Sequence, residues 1–255
     1  MRSAKRAVVI TLASAFCLAG TASAQHAQTQ THEWAYDGAL GPTHWGGLKP
    51  EFATCRTGLE QSPIDITRTT KANLDSIRFD YHASPLRIID NGHTIQVNYA
   101  PGSSIIVGDA RYELRQFHFH RPSEERINGH GSDMVVHLVH ADSTGHLAVV
   151  AVLLTAGAAQ PLIQTLWDHL PTEHGHEDVV AGVEINAASL LPADRGYFTF
   201  PGSLTTPPCS EHVTWFVLKH PVTISSQEIQ TFSRLYAHNA RPTQRVNQRE
   251  VLESR

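Results

Sequence analysis

From about residue 77 onward, apolar and polar positions alternate in short runs broken by turn residues, the signature of a β protein. The runs cover residues 86–89, 93–99, 104–107, 113–120, 134–141, 148–155 and 213–218, and they are rich in Val, Ile, Phe and Tyr. Asp90-Asn91-Gly92 and Pro101-Gly102 predict hairpin turns between them. Two segments carry helical spacing instead. Residues 161–170 place Leu162, Ile163, Leu166 and Trp167 on one face, and residues 225–238 open with Ser225 and Glu228, a capping-box pattern. Residues 34–63 are dense in Gly and Pro and predict a long irregular arm lying on the core. The β runs spread along the whole chain, without repeats or heptads, so the expectation is one mainly β (α+β) domain over residues 34–255.

The first 24 residues read as a secretory signal. Arg2, Lys5 and Arg6 precede an apolar run at 7–19 that is too short for a membrane span. Ala22-Ser23-Ala24 offers the small residues of a cleavage site, and Cys17 falls inside the discarded segment. Residues 25–33 read as a mobile leader. No other stretch is apolar enough to cross a bilayer, so no stable membrane anchor is expected, and the localisation is periplasmic or secreted.

The whole chain has a formal charge of −4. Residues 1–24 hold three of the 20 basic residues and none of the 24 acidic ones, so removing them leaves a still more acidic protein. No basic patch is concentrated anywhere, which argues against nucleic acid as a partner. Outside the signal two cysteines remain, Cys55 and Cys209. In an oxidising compartment an even pair suggests one disulfide, with two separate thiols as the alternative.

The chain has 17 histidines, and their spacing says more than their number. In Gln116-Phe117-His118-Phe119-His120 a strand places His118 and His120 on one face and the two phenylalanines on the other. Two imidazoles so placed suit a shared metal ion. An open tetrahedral site needs a third protein ligand and keeps its fourth position for water. The strand at 134–141 offers His137 or His140, which fall on opposite faces, and periodicity does not choose between them. Three neutral imidazoles without a thiolate suit zinc, though copper, cobalt and iron also accept them. Zinc in such a site brings the pKa of its water to about 7.

The chain resembles the α-class carbonic anhydrases of the bacterial, exported kind. The motifs that carry the resemblance run in the family's order: His44-Trp45-Gly46, Gln61-Ser62-Pro63-Ile64-Asp65-Ile66, Asn91-Gly92-His93, Gln116 to His120, Pro122-Ser123-Glu124, His137-Leu138-Val139-His140, Gly202 to Glu211, and Asn239-Ala240-Arg241-Pro242-Thr243-Gln244. The resemblance implies a large, twisted, mostly antiparallel sheet with short peripheral helices and a conical cleft. It implies zinc (Zn2+) on His118, His120 and His137, and reversible hydration of carbon dioxide to bicarbonate and a proton by zinc-bound hydroxide. Glu124 and Thr205 would orient the nucleophile and His93 would shuttle the proton. Val139, Val149, Leu204, Thr206, Val213 and Trp215 would line the substrate pocket. Gln116 and the carbonyl of Asn239 would hold His118 and His120, and Cys55–Cys209 would match the family's disulfide. Sulfonamides and anions would inhibit at the metal, and exported bacterial members often form homodimers.

The resemblance has departures. The family carries a carboxylate two residues before its third histidine ligand, where this chain has Val135, and a histidine after the orienting glutamate, where this chain has Glu125. The expectation is a swap in which Glu125 supports His137. Gly47 and Phe200 are read as standing where tyrosines are common, each losing a hydroxyl. His169, His174 and His176 with Glu173, Glu177 and Asp178 read as a solvated loop, with a secondary metal site as the alternative. Two other functions remain open: a non-catalytic zinc-binding module on this fold, or a zinc-buffering exported protein.

Overall fold

The computed structural model describes residues 33–255, so the expected signal and all of the expected leader but Glu33 lie outside the described residues. Eight strands make the body of a thirteen-stranded sheet: β1 Ser84–Asp90, β2 Ile95–Asn98, β3 Ala110–His120, β4 Met134–Ala141, β5 Leu147–Ala156, β6 Glu177–Ile185, β7 Tyr197–Ser203 and β8 Glu211–Leu218. Their spatial order is β6-β1-β2-β3-β4-β5-β8-β7, continued by Leu252–Ser254 and Thr70–Ala72. Most pairs are antiparallel, while β5 runs parallel to β8 and to Val222–Ile224, and Leu252–Ser254 runs parallel to Thr70–Ala72. The sheet is therefore mixed but mostly antiparallel, as the resemblance leads one to expect, and the mainly β content agrees with the sequence pattern.

Alternation divides the sheet into two cores. Phe117, Phe119, Val136 and Leu138 face one side, where Leu162, Leu166, Trp167 and Phe232 of the helices cover them. Val135, Val149, Val213 and Trp215 face the other side. The helices are α1, Pro161–Trp167, and α2, Ser226–Leu235. The capping box of α2 forms: Ser225 Oγ accepts from Glu228 N at 3.1 Å, and Glu228 Oε2 accepts from Ser225 N at 2.6 Å. Glu228 also accepts from Gln160 N at 3.1 Å, which ties the start of α1 to the start of α2.

Two of the eight body strands escape the sequence pattern. β6 begins on Glu177 and Asp178, carries a bulge between Val179 and Glu184, and is exposed along much of its length, so it lacks clean alternation. The acidic, histidine-rich stretch read as a loop thus ends in an edge strand. β7 contains Pro201 and Gly202, which speak against a strand. Pro201 is tolerated because it pairs with Thr214 on one side, while the second partner reaches only Phe198 and Thr199. Gly202 permits a close approach, since a Cβ there would lie 2.3 Å from Ser62 Oγ and 2.7 Å from Trp215 Cδ1.

Residues 34–63 form the irregular arm, built from short helical turns around Trp45. The buried Trp45 indole donates to Ala35 O at 2.9 Å and to Leu40 O at 3.0 Å. Cys55 in this arm is disulfide-bonded to Cys209, 154 residues away in sequence. Among the described residues no helix is long and apolar enough to cross a membrane. Because the crosslink closes so long a loop, replacing both cysteines by serine is expected to lower stability by about 4–5 kcal/mol in the chain-entropy model. Urea unfolding of the double variant measures this, and an unchanged midpoint contradicts it.

Candidate metal centre

His118 and His120 stand two residues apart on β3 and so share a face, while Phe117 and Phe119 enter the opposite core. His137 sits on β4 directly opposite His118 in the antiparallel register. The choice that periodicity leaves open is settled by the two cores. Val135 and Val139 face the cluster that holds Trp215, and His137 shares their side. His140 faces the other core, where it is fully buried, with Nε2 2.7 Å from Tyr81 Oη and Nδ1 3.3 Å from Ala148 O. It is a structural histidine.

One nitrogen of each clustered imidazole is taken by the protein. His118 Nδ1 donates to Gln116 Oε1 at 2.8 Å, and His120 Nδ1 donates to Asn239 O at 2.7 Å. His137 Nε2 lies 3.1 Å from both carboxylate oxygens of Glu125, so the expected swap forms. These contacts fix the tautomers and leave His118 Nε2, His120 Nε2 and His137 Nδ1 for another partner. Ligand atoms of the three residues lie within 4.8 Å of one another. His120 Nε2 is buried and has no hydrogen-bond partner among the described residues. An orphaned, neutral, buried imidazole nitrogen is a poor end point for a folded protein and a good metal donor. The donor set fits zinc.

Electrostatics agree. Burial, reinforced by His137, lowers the His118 pKa to about 3. Burial also drives His120 well below the ordinary histidine value, with His137 and His118 adding to the drop. Both rings are therefore neutral and able to bind a cation at neutral pH. Burial pulls His137 down too, but the charge and hydrogen bond of Glu125, with Glu124 beyond it, raise its pKa overall.

Glu124 adjoins the cluster, with Oε2 3.5 Å from His120 Nε2 and 3.8 Å from His137 Nδ1. Its Oε1 accepts from Arg241 N at 2.7 Å, and it also receives the Thr205 hydroxyl. Burial pushes its carboxyl up to about 7, against the charge of His137 and with that of Glu125. Thr205 is buried in the loop that leaves β7 after a register shift, where Leu204 N donates to Ser210 O at 3.0 Å. Trp215 Nε1 donates to Ser203 O at 3.0 Å, anchoring that loop to β8, and the disulfide joins it to the arm. Val149, Val213 and Trp215 form one apolar cluster, with Val139 and Leu204 packed on it. The Trp215 ring lies 5.0 Å from the His137 ring, edge to face. Thr206 is half-buried at the loop's turn, where its carbonyl accepts from Cys209 N at 2.9 Å.

His93 sits on the tip of the β1–β2 hairpin, its ring stacked on Trp34 at 3.6 Å between centroids. Asn239 Nδ2 donates to His93 O at 3.0 Å, so one residue braces both His93 and His120.

Three residues were missed by sequence reasoning. Tyr36 is raised in pKa by burial and then by the charge of Glu124, and its ring packs edge-on against Trp34 and Trp45. Gly47, where the loss of a tyrosine is expected, is exposed on the same arm that carries Tyr36. The aromatic pair Trp34 and Tyr36 just after the leader was the available signal. Phe200 is buried and lies parallel to Trp215, filling the wall without a hydroxyl. Arg241 is the second missed residue: its guanidinium donates to Ser62 O at 2.8 Å and Cys55 O at 2.9 Å and stacks over Trp45. Asp90 is the third. The histidine-rich stretch gathers no second metal site among the described residues. His169 bonds Thr165 O, His174 pairs with Asp90, His176 pairs with Asp178, and Glu177 takes Arg87 and Asn98.

Fold and cluster together define the class, a mixed-sheet protein with a three-histidine candidate metal centre. A family profile for eukaryotic-type carbonic anhydrase matches residues 40–255. A carbonic anhydrase of Nostoc sp. is 42% identical over 233 residues, covering 89% of this chain and 88% of its own. A hyperthermostable carbonic anhydrase from an active hydrothermal vent chimney superposes with a TM-score of 0.85 at 44% identity, covering 87% of this chain and 100% of its own. The alpha-carbonic anhydrase of Thermovibrio ammonificans, in complex with the inhibitor sulfanilamide, superposes with a TM-score of 0.83 at 39% identity, covering 86% of this chain and 98% of its own. The chain belongs to the eukaryotic-type, or α-class, carbonic anhydrase family.

The Glu125 contact generates a test. Glu125→Gln keeps the shape but removes the charge facing His137, and metal affinity is expected to fall about 10–100-fold. Competition with a chromophoric chelator reads this directly. Unchanged affinity means that Glu125 is incidental.

Proposed function

We propose that the protein is a carbonate dehydratase, hydrating carbon dioxide reversibly to bicarbonate and a proton, with zinc held by His118, His120 and His137. The observation that carries the reading is the convergence of three imidazole nitrogens whose opposite nitrogens are all engaged. Zinc bound there supplies Lewis-acid activation of water, making hydroxide available near neutral pH. The protein's own groups account for the remaining needs. Thr205 donates its proton to Glu124, so its oxygen meets the nucleophile as an acceptor and orients it. Val139, Val149, Leu204, Val213 and Trp215 give an uncharged, dipole-free substrate an apolar wall. Thr206 stands at the rim of that wall. His93, half-buried at a hairpin tip, passes the released proton to buffer, since an imidazole can both accept and donate a proton.

Residues 1–24 act as a secretory signal cleaved near Ala24, delivering residues 34–255 to the periplasm or medium as the catalytic domain. The Cys55–Cys209 disulfide supports an oxidising destination. N-terminal sequencing of the exported protein tests the cleavage point. Sulfanilamide, the inhibitor in the Thermovibrio complex, is expected to inhibit this protein as well.

Stopped-flow hydration of carbon dioxide by purified protein tests the whole reading. One zinc per chain is expected, and chelation or His137→Ala is expected to lower the rate by about three orders of magnitude. Full activity after metal removal overturns the proposal. Thr205→Ala is expected to lower kcat/KM by about 100-fold at unchanged zinc content. A zinc-buffering protein would instead release several labile ions and ignore Thr205.

A further inference from the structure

The hairpin tip that carries His93 is held by a buried carboxylate with no part in the scheme above. Asp90 is only 3% exposed. Its Oδ1 accepts from Gly92 N at 3.0 Å, from the Tyr236 hydroxyl at the end of α2, and pairs with His174 Nδ1 at 3.1 Å. Its backbone carbonyl accepts from Gly175 N at 2.7 Å, and the backbone bridges to His174. One oxygen thus gathers the tip, the helix end and the strap that precedes β6.

The rest of the tip is short and self-contained. Asn91 Oδ1 accepts from His93 N at 3.0 Å and Thr94 N at 2.9 Å, and Asn91 N donates to Thr94 O at 3.2 Å. Gly92 adopts a positive φ of 82°, which lets the tip turn back on Asp90. Trp34 holds one face of the His93 ring, and Asn239 holds its carbonyl. Removing the Asp90 carboxylate would strip the anchor beneath Gly92 without touching the metal cluster or the apolar wall.

We propose that Asp90, clamped between Tyr236 and His174, is a positioning residue for proton export: it fixes the backbone from which the His93 ring hangs. The proposal rests on the shuttle role given to His93 above. Asp90 does not carry the proton. It holds the imidazole within reach of the water that must bridge it to the centre, and small displacements of such a relay cost rate steeply.

Kinetics distinguish this from a purely structural role, because proton export limits kcat under low buffer while hydration limits kcat/KM. The full exported enzyme is compared as wild type, Asp90→Ala, Tyr236→Phe, His93→Ala and the double variant Asp90→Ala/His93→Ala, in dilute buffer and with added imidazole. Asp90→Ala is expected to lower kcat by about fivefold with kcat/KM within about twofold, and imidazole is expected to restore kcat. Tyr236→Phe keeps the carboxylate and is expected to shift kcat in the same direction by less. The double variant is expected to be no slower than His93→Ala, since the two residues act as one device. Multiplicative losses in the double variant, or parallel losses of kcat and kcat/KM without rescue, overturn the proposal. If Asp90→Ala does not fold, Tyr236→Phe decides: an unchanged kcat overturns it. A rescued loss in His93→Ala beside normal kcat in both Asp90→Ala and Tyr236→Phe overturns the positioning role alone. A normal kcat in His93→Ala overturns the shuttle assignment, and the positioning role with it.

Discussion

The organising constraint of this molecule is the burial of two carboxylates beside three imidazoles. The side chains of Glu124 and Glu125 are fully buried, His120 and His137 almost fully, and all lie within a few ångströms of one another. Isolated buried charges are too costly to keep, and each must be met by a partner or neutralised. The protein meets them unequally. Glu125 is matched by His137, whose pKa rises in response despite the opposing effect of burial. Burial lifts the Glu124 carboxyl to about 7, although a backbone N–H and a hydroxyl that donate to it favour the charged form. Two rings stay neutral and keep one lone pair each aimed at a common point. A divalent cation at that point would satisfy the donors and offset the carboxylate charge together, which is why the cluster makes physical sense as a metal centre.

Holding these groups demands elements from distant parts of the chain. The sheet supplies the histidines by register alone, with His118 opposite His137. The groups that face them come from less regular segments. Thr205 rides on a loop fastened by Trp215, by Ser62 through Ser203, and by the disulfide. Arg241 knits the same arm to the Glu124 side, with its backbone on the carboxylate and its guanidinium on Ser62 O and Cys55 O. A rigid sheet thus fixes the donors, while crosslinked loops carry the groups that face them.

Legibility in the sequence followed the same division. The His118/His120 pair could be read because period-two alternation is a local property, and the capping box of α2 could be read for the same reason. His137 and His140 could not be told apart, since β4 is buried on both faces and its pattern is apolar throughout. β7 was hidden by Pro201 and Gly202, which are tolerated only because of what lies beside them. Tyr36, Arg241 and Asp90 act through contacts with residues far away in sequence. Asp90 meets Tyr236 across 146 positions, and no window of sequence contains that fact. The disulfide was inferable from count and compartment, but its place behind Thr205 came from the resemblance.

The carboxylate that meets His137 comes from Glu125, while Val135 on the same strand as His137 is apolar. Val135 lies in the apolar cluster that continues into Val149, Val213 and Trp215. In the sheet it faces His120 on one side and Leu153 on the other. A carboxylate at that strand position would have to sit within this cluster. Glu125 instead reaches His137 from the segment between β3 and β4, where Ser123 Oγ donates to Glu125 O at 2.9 Å and steadies the backbone. The carboxylate still arrives at His137 Nε2, so the ring keeps the tautomer that leaves Nδ1 toward its companions. In this chain the charge at that nitrogen comes from the segment between β3 and β4 and not from the strand itself. With the charge off the strand, Val135 extends the apolar cluster that continues into Val149, Val213 and Trp215.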